Sequence, residues 1–525
     1  MNMKALTTTL LLCLLYTANE AAKILYVMPF TAASHYISQK DLAMELAKRG
    51  HDVYAITSHK EVDPPTTYHQ IMVERKSVWD AFFTEEEKPN IFSMLDLSFA
   101  QFQNLMYVIG KFNNDLVFNS TEVQTFLKED HKFDLVINEL FFQESLYMFA
   151  HKYQAPLVLV TTFGNSVKGN FYGRNPLQLA TVYHEYGVSP DPLSFIGRLS
   201  NFYYALYDLF VTKFFYMPEL EALAQHHFKD LSQPLPSLEQ LAANASLVLM
   251  NSHFSIDTPT AYLPNYIEVG GLNHPKEPKP LPKDLQKILD SAKNGVVYLS
   301  FGSNVQSKDL SKDRLEGFLK VFGELKETVL MKWEDDSVPN IPKNVVLRKW
   351  FPQKDVLAHP NIKLFIGHGG LLGLQETIVA GVPILGVPVF GDQYLNILAT
   401  VQNGHGELLE YKNINEENLR TVINKMLTNK RYKEKALEVS IRFKDRPMNG
   451  IDTAVWWIEY VIRYKGADFI KTPALKLGFI QYHMLDVYLF SVVLLLVPFI
   501  VLSKILSLFK SKKTQLVEKK KQKKK

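Results

Sequence analysis

Short apolar runs separated by helical stretches recur along most of this chain, and that alternation limits its fold more than any other feature. Residues 24–28 read as a strand, 39–49 as a helix closed by Gly50, and 53–57 as the next strand. Residues 135–137, 157–161, 247–250 and 267–269 predict further strands, and 177–228 a helical stretch rich in aromatics. The Pro/Lys-rich segment 273–282 breaks the rhythm and predicts a linker. Beyond it, strands are predicted at 296–300, 328–331, 364–366 and 384–387, and helices at 371–380 and 394–402. Alternation of this kind is the mark of parallel α/β sheets, so two such domains in tandem are expected.

The two ends carry a different signal. Lys4, the apolar run 5–16 and the small residues Thr17, Ala18, Ala21 and Ala22 predict a secretory leader over residues 1–22, too short to span a bilayer. Residues 487–503 contain no charge, and the run extends past Lys504 to Phe509, so 487–509 predicts one membrane-spanning helix. The tail 510–525 holds nine lysines and one glutamate; its +8 against +4 for the whole chain leaves −4 on the rest. By the positive-inside rule the tail is expected on the cytoplasmic side and the bulk of the chain on the other, a single-pass type I arrangement. Lysines at the third and fifth positions from the end look like a dilysine signal for return to the endoplasmic reticulum. The charge distribution outside the tail predicts no nucleic-acid partner.

Cys13 is the only cysteine and lies in the expected leader, so the processed chain is left without a disulfide, a thiol nucleophile or a thiolate metal site. Asn119-Ser120-Thr121 and Asn244-Ala245-Ser246 are candidate N-glycosylation sites at Asn119 and Asn244. About 460 residues between leader and anchor suffice for two domains.

One stretch concentrates the chemistry: Trp350-Phe351-Pro352-Gln353, Gly367-His368-Gly369-Gly370, Gln375-Glu376, Gly381-Val382-Pro383, Pro388 and Asp392-Gln393. Gly367–Gly370 follow a strand and open a helix, where close backbone approach and the positive helix end favour a diphosphate. Trp350 offers a flat face for a base. Glu376, a turn and a half into the helix, can reach ribose hydroxyls, and Asp392-Gln393 offer acceptors and donors for a sugar. Singly these features are weak; glycines in a βα turn are most often turn chemistry. Gly367, Gly369 and Gly373 with Asp392 also approximate a dinucleotide fingerprint, but that motif normally opens the first βαβ unit of its domain, and here it lies deep within one.

Taken together, the order and spacing over 350–393 resemble the signature of the UDP-glycosyltransferase family, of the membrane-anchored animal type. Ser300-Phe301-Gly302-Ser303 resembles that family's phosphate loop, and 452–463 its C-terminal helix. The resemblance implies a GT-B fold: two Rossmann-like domains, the first binding the acceptor and the second a UDP-sugar co-substrate. It implies boundaries of 23–272, a linker at 273–283, and 284–480, the last helices returning toward the first domain. It implies that Trp350 stacks on uracil, that Gln353 and Glu376 hold the ribose, that Ser303, His368 and Gly370 hold the diphosphate, and that Asp392 and Gln393 hold the hexose. Leu371-Leu372 stand where many relatives carry Ser-Asn, so a side-chain amide contact to phosphate is missing or replaced.

Ser34-His35-Tyr36 is placed in the first βα loop, before the helix expected near Gln39. Histidine titrates near neutrality and suits general-base work; an exposed loop histidine is usually nothing, but the family's catalytic histidine occupies this loop. Its carboxylate partner falls on Glu139, one methylene longer than the family's aspartate, with Asp134 the plainer strand-start residue. His35 would then deprotonate an acceptor hydroxyl in an inverting displacement, with helix N-termini rather than a metal neutralising the diphosphate. His226-His227 and His184-Glu185 lack the partners of a metal site and read as surface or core polar residues. The aromatics of 92–118 and 195–215 suggest an apolar cleft, a membrane-facing surface or plain core, and a small lipophilic acceptor fits the anchor. The expectation is a hexosyltransferase of the endoplasmic reticulum membrane with lumenal catalytic domains. A glycosyltransferase-like protein binding nucleotide or lipophile without turnover is the second reading, and self-association into a homo-oligomer stays open.

Overall fold

The computed structural model describes residues 21–84, 87–273, 278–335, 338 and 340–523. Most of the expected leader, residues 1–20, lies outside the described residues, as do 274–277 of the expected linker and the last two lysines of the tail. One compact unit runs to Ile470 and holds two all-parallel sheets; a second comprises Lys471–Lys525.

The first sheet orders its strands β3-β2-β1-β4-β5-β6-β7, where β1 is Lys23–Met28, β2 Asp52–Thr57, β3 Tyr68–Met72, β4 Leu135–Glu139, β5 Leu157–Val160, β6 Leu247–Met250 and β7 Tyr266–Glu268. The second orders β10-β9-β8-β11-β12-β13, where β8 is Val296–Leu299, β9 Thr328–Lys332, β10 Val345–Arg348, β11 Ile362–Gly367, β12 Ile384–Gly386 and β13 Gly406–Leu408. Both begin at a central strand and reverse direction beside it, the switch point where α/β sheets bind ligands. Central strands are largely apolar because both faces are covered, β4 turning polar only at Asn138 and Glu139. In β1, Leu25 and Val27 enter one core while Ile24, Tyr26 and Met28 enter the other. In β8, Val297 and Leu299 divide in the same way from Val296 and Tyr298.

Three strands were missed by the sequence reading: β3, β10 and β13. All three are edge strands with mixed burial, so they lack the continuous apolar run that marks the centre. A second difference lies at the first crossover. Helix α1 spans Ala33–Lys48, so His35 stands in its first turn rather than in a loop before it. No glycine or proline stands in 33–38 to delay the helix.

Two further helices pack against each other, the first lining the cleft through Phe102 and Met106. Helix α2, Phe99–Asn119, starts from a capping box in which Ser98 Oγ accepts from Gln101 N–H and Gln101 reaches back to Ser98. Helix α3, Phe195–Val211, is capped by Ser194 and runs into a π-helical turn, Thr212–Tyr216. In the second sheet, helix α4 (Leu371–Ala380) ends at Gly381, whose φ of 62° needs a residue without Cβ, and helix α5 is Gln393–Gln402. Helix α6, Gly450–Arg463, returns to the first sheet. There Ala454, Val455, Ile458 and Val461 join the core of Ile24 and Leu42, and Asp452 pairs with Arg49, the residue after α1.

The two sheets are also joined elsewhere. Gln375 of α4 is fully buried; its Nε2 donates to Asn251 Oδ1 at 3.0 Å and its Oε1 accepts from Gly271 N–H at 3.1 Å. The short 3₁₀ helix Ile91–Asp96 leaves the first sheet and inserts Phe92 into the core of the second. Phe92 stacks there on Tyr411 at 4.3 Å and meets the edge of Phe301 at 6.2 Å. In the separate unit, helix α7 spans Leu485–Gln522 and contains the apolar stretch Leu485–Lys510, the single candidate membrane span among the described residues.

Phe92→Ala empties a site in a core built by the other sheet, where truncating a buried phenylalanine typically costs about 3–5 kcal/mol. The full-length variant in detergent is expected to melt at a clearly lower temperature, with Phe92→Leu recovering most of the loss. An unchanged melting temperature would show that the insertion contributes nothing.

Candidate active site

A cleft of about 330 Å³ opens between the carboxyl ends of the two sheets. On the first-sheet side, His35 projects from the first turn of α1, and its Nδ1 lies 2.5 Å from Oε1 of Glu139, the last residue of β4. Glu139 is fully buried. Thr162, two residues past β5, places Oγ1 3.0 Å from both His35 Nδ1 and Glu139 Oε1. The chain after β4 turns through Phe142, with φ of 53°, and brings Gln143 back so that its Nε2 donates to Glu139 Oε2 at 2.8 Å. Both carboxyl oxygens are thus hydrogen-bonded, as buried polar atoms require. Phe30 and Phe141 flank the imidazole, each with its ring centroid 4.4 Å away. With Nδ1 occupied, Nε2 is the ring nitrogen left for a ligand in the cleft that His35 lines. Asp134 stands at the opposite end of the same strand, where its Oδ2 accepts from Lys23 N–H at 2.8 Å. Phe102, Met106, Phe141, Phe163, Tyr186 and Phe390 give this part of the cleft an apolar lining.

On the second-sheet side, Trp350 leaves 63 % of its surface exposed beside the cleft, with Lys332 Nζ 5.7 Å from the ring. Lys332 ends β9 and is itself buried; it donates to Gly302 O at 2.5 Å and to Glu334 at 2.9 Å. Gln353 Nε2 donates to Glu376 Oε2 at 2.6 Å, and Tyr298 donates to Gln353 Oε1 at 3.3 Å. Burial pushes the Glu376 carboxyl up to about 7, against the opposing pull of the Gln353 hydrogen bond.

Gly370 precedes α4 and supplies no side-chain cap, which leaves the first-turn amides for a ligand. The His368 ring fills the space between Gly302 and Gly370. A Cβ on the first would lie 2.8 Å, and on the second 2.5 Å, from ring atoms, so neither glycine can be replaced without moving the ring. Burial, and then the charge of Lys332, lower His368 to about 4, so near neutral pH it is an uncharged imidazole. Ser303 lines the cleft beside it. Leu371 turns into the core while Leu372 faces the cleft, so neither replaces a side-chain amide.

Asp392 and Gln393 complete the far wall. Asn396 Nδ2 donates to Asp392 Oδ2 at 2.8 Å and to Gly369 O at 3.0 Å, which fixes the carboxyl. Burial raises the Asp392 acid, and the hydrogen bond from Asn396 works against the rise. Gln393 spends its carbonyl on the chain: Oε1 accepts from Val389 N–H at 2.8 Å and Phe390 N–H at 3.1 Å. Its amide can therefore only donate to a ligand. Asn304 Nδ2 donates to Ser34 Oγ at 3.3 Å and bridges the two sides.

The cleft thus gathers His35, Ser303, Trp350, Gln353, His368, Gly370, Glu376, Asp392 and Gln393, with Glu139 directly behind His35. Asn119 and Asn244 are exposed and not among the lining residues. Thr162, Gln143, Lys332 and Asn396 were not anticipated. Lys332 alone carried a sequence signal, a charge closing an otherwise apolar strand. Among the described residues no group of three or more His, Cys, Asp or Glu side chains is gathered to hold a metal ion. His184 is a buried core residue, its Nε2 3.3 Å from Asp208 Oδ2.

The model of the family "UDP-glucoronosyl and UDP-glucosyl transferase" matches residues 22–523. The chain is similar to UDP-glucosyltransferase 2 of Dactylopius coccus, 35 % identical with 92 % of each chain covered. It is also similar to 2-hydroxyacylsphingosine 1-beta-galactosyltransferase of Rattus norvegicus, 30 % identical over 89 % of this chain and 85 % of that one. Among solved structures, a UDP-glucosyltransferase from Polygonum tinctorium superposes with a TM-score of 0.56 at 16 % identity, covering 84 % of this chain and 99 % of that one. This chain belongs to the UDP-glycosyltransferase family. It is a UDP-sugar-dependent glycosyltransferase with the GT-B fold.

The raised Glu376 acid makes stability pH-dependent. As pH rises from about 4.5 to about 7, the unfolded chain releases this proton while the folded chain keeps it, so stability falls across that window and the loss is complete above it. The ligand-free protein is expected to lose melting temperature over that range relative to Glu376→Gln, which cannot titrate. Parallel melting curves for the two proteins would contradict the assignment.

Proposed function

We propose that the protein transfers a hexosyl group from a UDP-sugar to a hydroxyl of a small lipophilic acceptor with inversion at the anomeric carbon, His35 serving as base. The observation that carries this reading is the His35–Glu139 pair, its free imidazole nitrogen lining the same cleft as Asp392 and the α4 N-terminus. Nε2 takes the acceptor's hydroxyl proton while the oxygen attacks the anomeric carbon. The bond from that carbon to the UDP oxygen breaks, and its electron pair leaves with the diphosphate. Glu139 holds Nδ1–H and stabilises the imidazolium that forms, by the logic of hydrolase triads. Trp350 stacks on uracil, and Gln353 and Glu376 take the ribose. Ser303, His368, Gly370 and the free α4 amides take the diphosphate, with Lys332 as the nearby cation. The Asp392 carboxyl and the Gln393 amide take the hexose hydroxyls. The apolar lining from Phe102 to Phe390 suits a lipophilic acceptor, and the name of the similar galactosyltransferase specifies an acylsphingosine for that enzyme.

The same reading places the acceptor domain at 23–272 and the donor domain at 284–480, in the lumen of the endoplasmic reticulum. The helix over 487–509 anchors them, and the lysine tail faces the cytosol.

His35→Ala is expected to leave UDP affinity, measured by calorimetry, nearly unchanged and to lower turnover about 10²- to 10⁴-fold. Full activity in this variant would end the base assignment. In the same titrations Gln393→Glu keeps an acceptor for the Val389 and Phe390 amides and removes the donor. It should weaken the preferred UDP-sugar about 5- to 100-fold while sparing UDP. Equal loss of both would move the hexose elsewhere.

Orientation is tested in sealed microsomes. Protease should remove the tail, and glycosidase should shift the mass of the protein unless Asn119 and Asn244 are both mutated to Gln. A tail protected from protease contradicts the lumenal placement.

A further inference from the structure

A second cavity, of about 160 Å³, adjoins the active-site cleft and shares Phe163, Leu374 and Asp392 with it. One wall is α5 with His405 beyond its end; the other is built by the segments that follow β5 and β6. Its polar groups are left open. His405 is 1 % exposed, yet neither ring nitrogen has a partner, a rare condition for buried polar atoms. Burial, and then the charge of Arg442, lower this ring to about 4, so near neutral pH it is uncharged and offers one donor and one acceptor. Asn165 Oδ1 accepts from Asn170 Nδ2 at 2.6 Å, while its own buried Nδ2 has no partner. Both residues line the cavity.

The lining also selects the class of ligand. Among the described residues no lysine or arginine lines this space, so an anion would be buried without a counter-charge. A cation finds no free charge either. Glu185 spends its oxygens on Ser166 Oγ and Val167 N–H, and burial holds Asp257, up to about 7, and Asp392 toward their neutral forms. The acids are not gathered to hold a metal ion. Tyr183, Tyr262 and Phe163 are partly exposed and offer flat apolar faces. Uncharged donors and acceptors beside ring faces suit a neutral sugar, which has hydroxyls for the first and C–H faces for the second. The volume holds on the order of ten waters, which one hexose ring would displace.

We propose that this cavity binds a neutral hexosyl group already carried by the acceptor, so that the protein takes glycosides of lipophilic compounds as acceptors and adds a second sugar to them. This rests on the reading of His35 as base and of the Phe102 to Phe390 lining as the acceptor side. Phe163 joins the two spaces: an aglycone packed against it in the cleft has its attached sugar beside Asn165, two residues further along the chain. A free hydroxyl of that aglycone gives its proton to His35 and attacks the anomeric carbon of the UDP-sugar. The bond from that carbon to the UDP oxygen breaks, and its electron pair leaves with the diphosphate. The glycosidic bond already present is untouched. His405 and Asn165 touch no reacting atom; they set the preference for a glycosylated over a bare acceptor.

The probes are hydroquinone, its mono-β-glucoside arbutin, and methyl β-glucoside. Each is titrated by calorimetry into the UDP-bound full-length protein, in a detergent without a sugar headgroup. His405→Phe replaces the orphaned imidazole by an apolar ring of similar shape and should keep or raise the melting temperature. Thr258→Trp, at the exposed rim, fills the mouth of the cavity and leaves the core intact. Arbutin is expected to bind the parent protein about fivefold or more tightly than hydroquinone, the gain of one or two hydrogen bonds. Both variants should remove that excess while leaving the binding and turnover of hydroquinone unchanged. If arbutin gains nothing over hydroquinone, or keeps its gain in either variant, the proposal is overturned. Arbutin that binds but, unlike hydroquinone, is not turned over also overturns it. Methyl β-glucoside binding as tightly as arbutin overturns it too and assigns the cavity to free sugars. Arbutin binding that both variants weaken, with neither phenol turned over, supports the sugar site and removes the acceptor reading on which the second transfer rests.

Discussion

Every strand pairing in both sheets is parallel, so all carboxyl ends within a sheet lie at one edge. Residues that leave the ladder there are free of strand hydrogen bonding and can point into a crevice. His35 follows β1, Glu139 closes β4 and Thr162 follows β5. Across the cleft, Ser303 follows β8, Lys332 closes β9, Trp350 follows β10, His368 follows β11 and Asp392 follows β12. Residues far apart in sequence are neighbours because each sheet delivers its polar ends to the same place. The buried Gln375 bridge and the inserted Phe92 tie the two sides together.

Burial controls charge within that cleft. Glu376 and Asp392 are held toward their neutral forms and His368 is held uncharged, each mainly by desolvation. The positive elements at the cleft are then the α4 N-terminus and the lining lysines Lys332 and Lys354, which act where a diphosphate would bring negative charge. Glu139 is as deeply buried, but hydrogen bonds from His35, Thr162 and Gln143 occupy both its oxygens. Glu376 and Asp392 each receive one side-chain amide, from Gln353 and Asn396, whereas Glu139 receives partners on both oxygens.

Aromatic residues serve three ends that look alike in a linear sequence. Phe102 lines the cleft, Phe92 fills the core of the other sheet, and Phe202 and Phe210 face outward. Composition could not separate these fates, because each depends on what lies beside the helix rather than on the helix itself. For α3 the deciding groups are Asn201 and Asp208, whose inward hydrogen bonds set the rotation of the helix.

Sequence by itself determined the α/β alternation, the central strands, the glycine turn before α4 and the positions of Trp350, Glu376, Asp392 and Gln393. Those signals are local: an apolar run, a turn residue or a short spacing requires no knowledge of a distant partner. The edge strands β3, β10 and β13 were illegible because a half-exposed strand needs no apolar run and is defined by the neighbour it pairs with. The resemblance already favoured Glu139 over Asp134 as the partner of His35, and tertiary structure supplied the reason: the two flank one strand at opposite ends, and β1 and α1 reveal which end faces the cleft. Tertiary structure alone brought Thr162 and Gln143 to that carboxylate, turned the Gln393 carbonyl onto its own backbone, and set Lys332 beside His368. Each is a contact between segments distant in the chain or a hydrogen bond with several possible takers, and only packing selects among them.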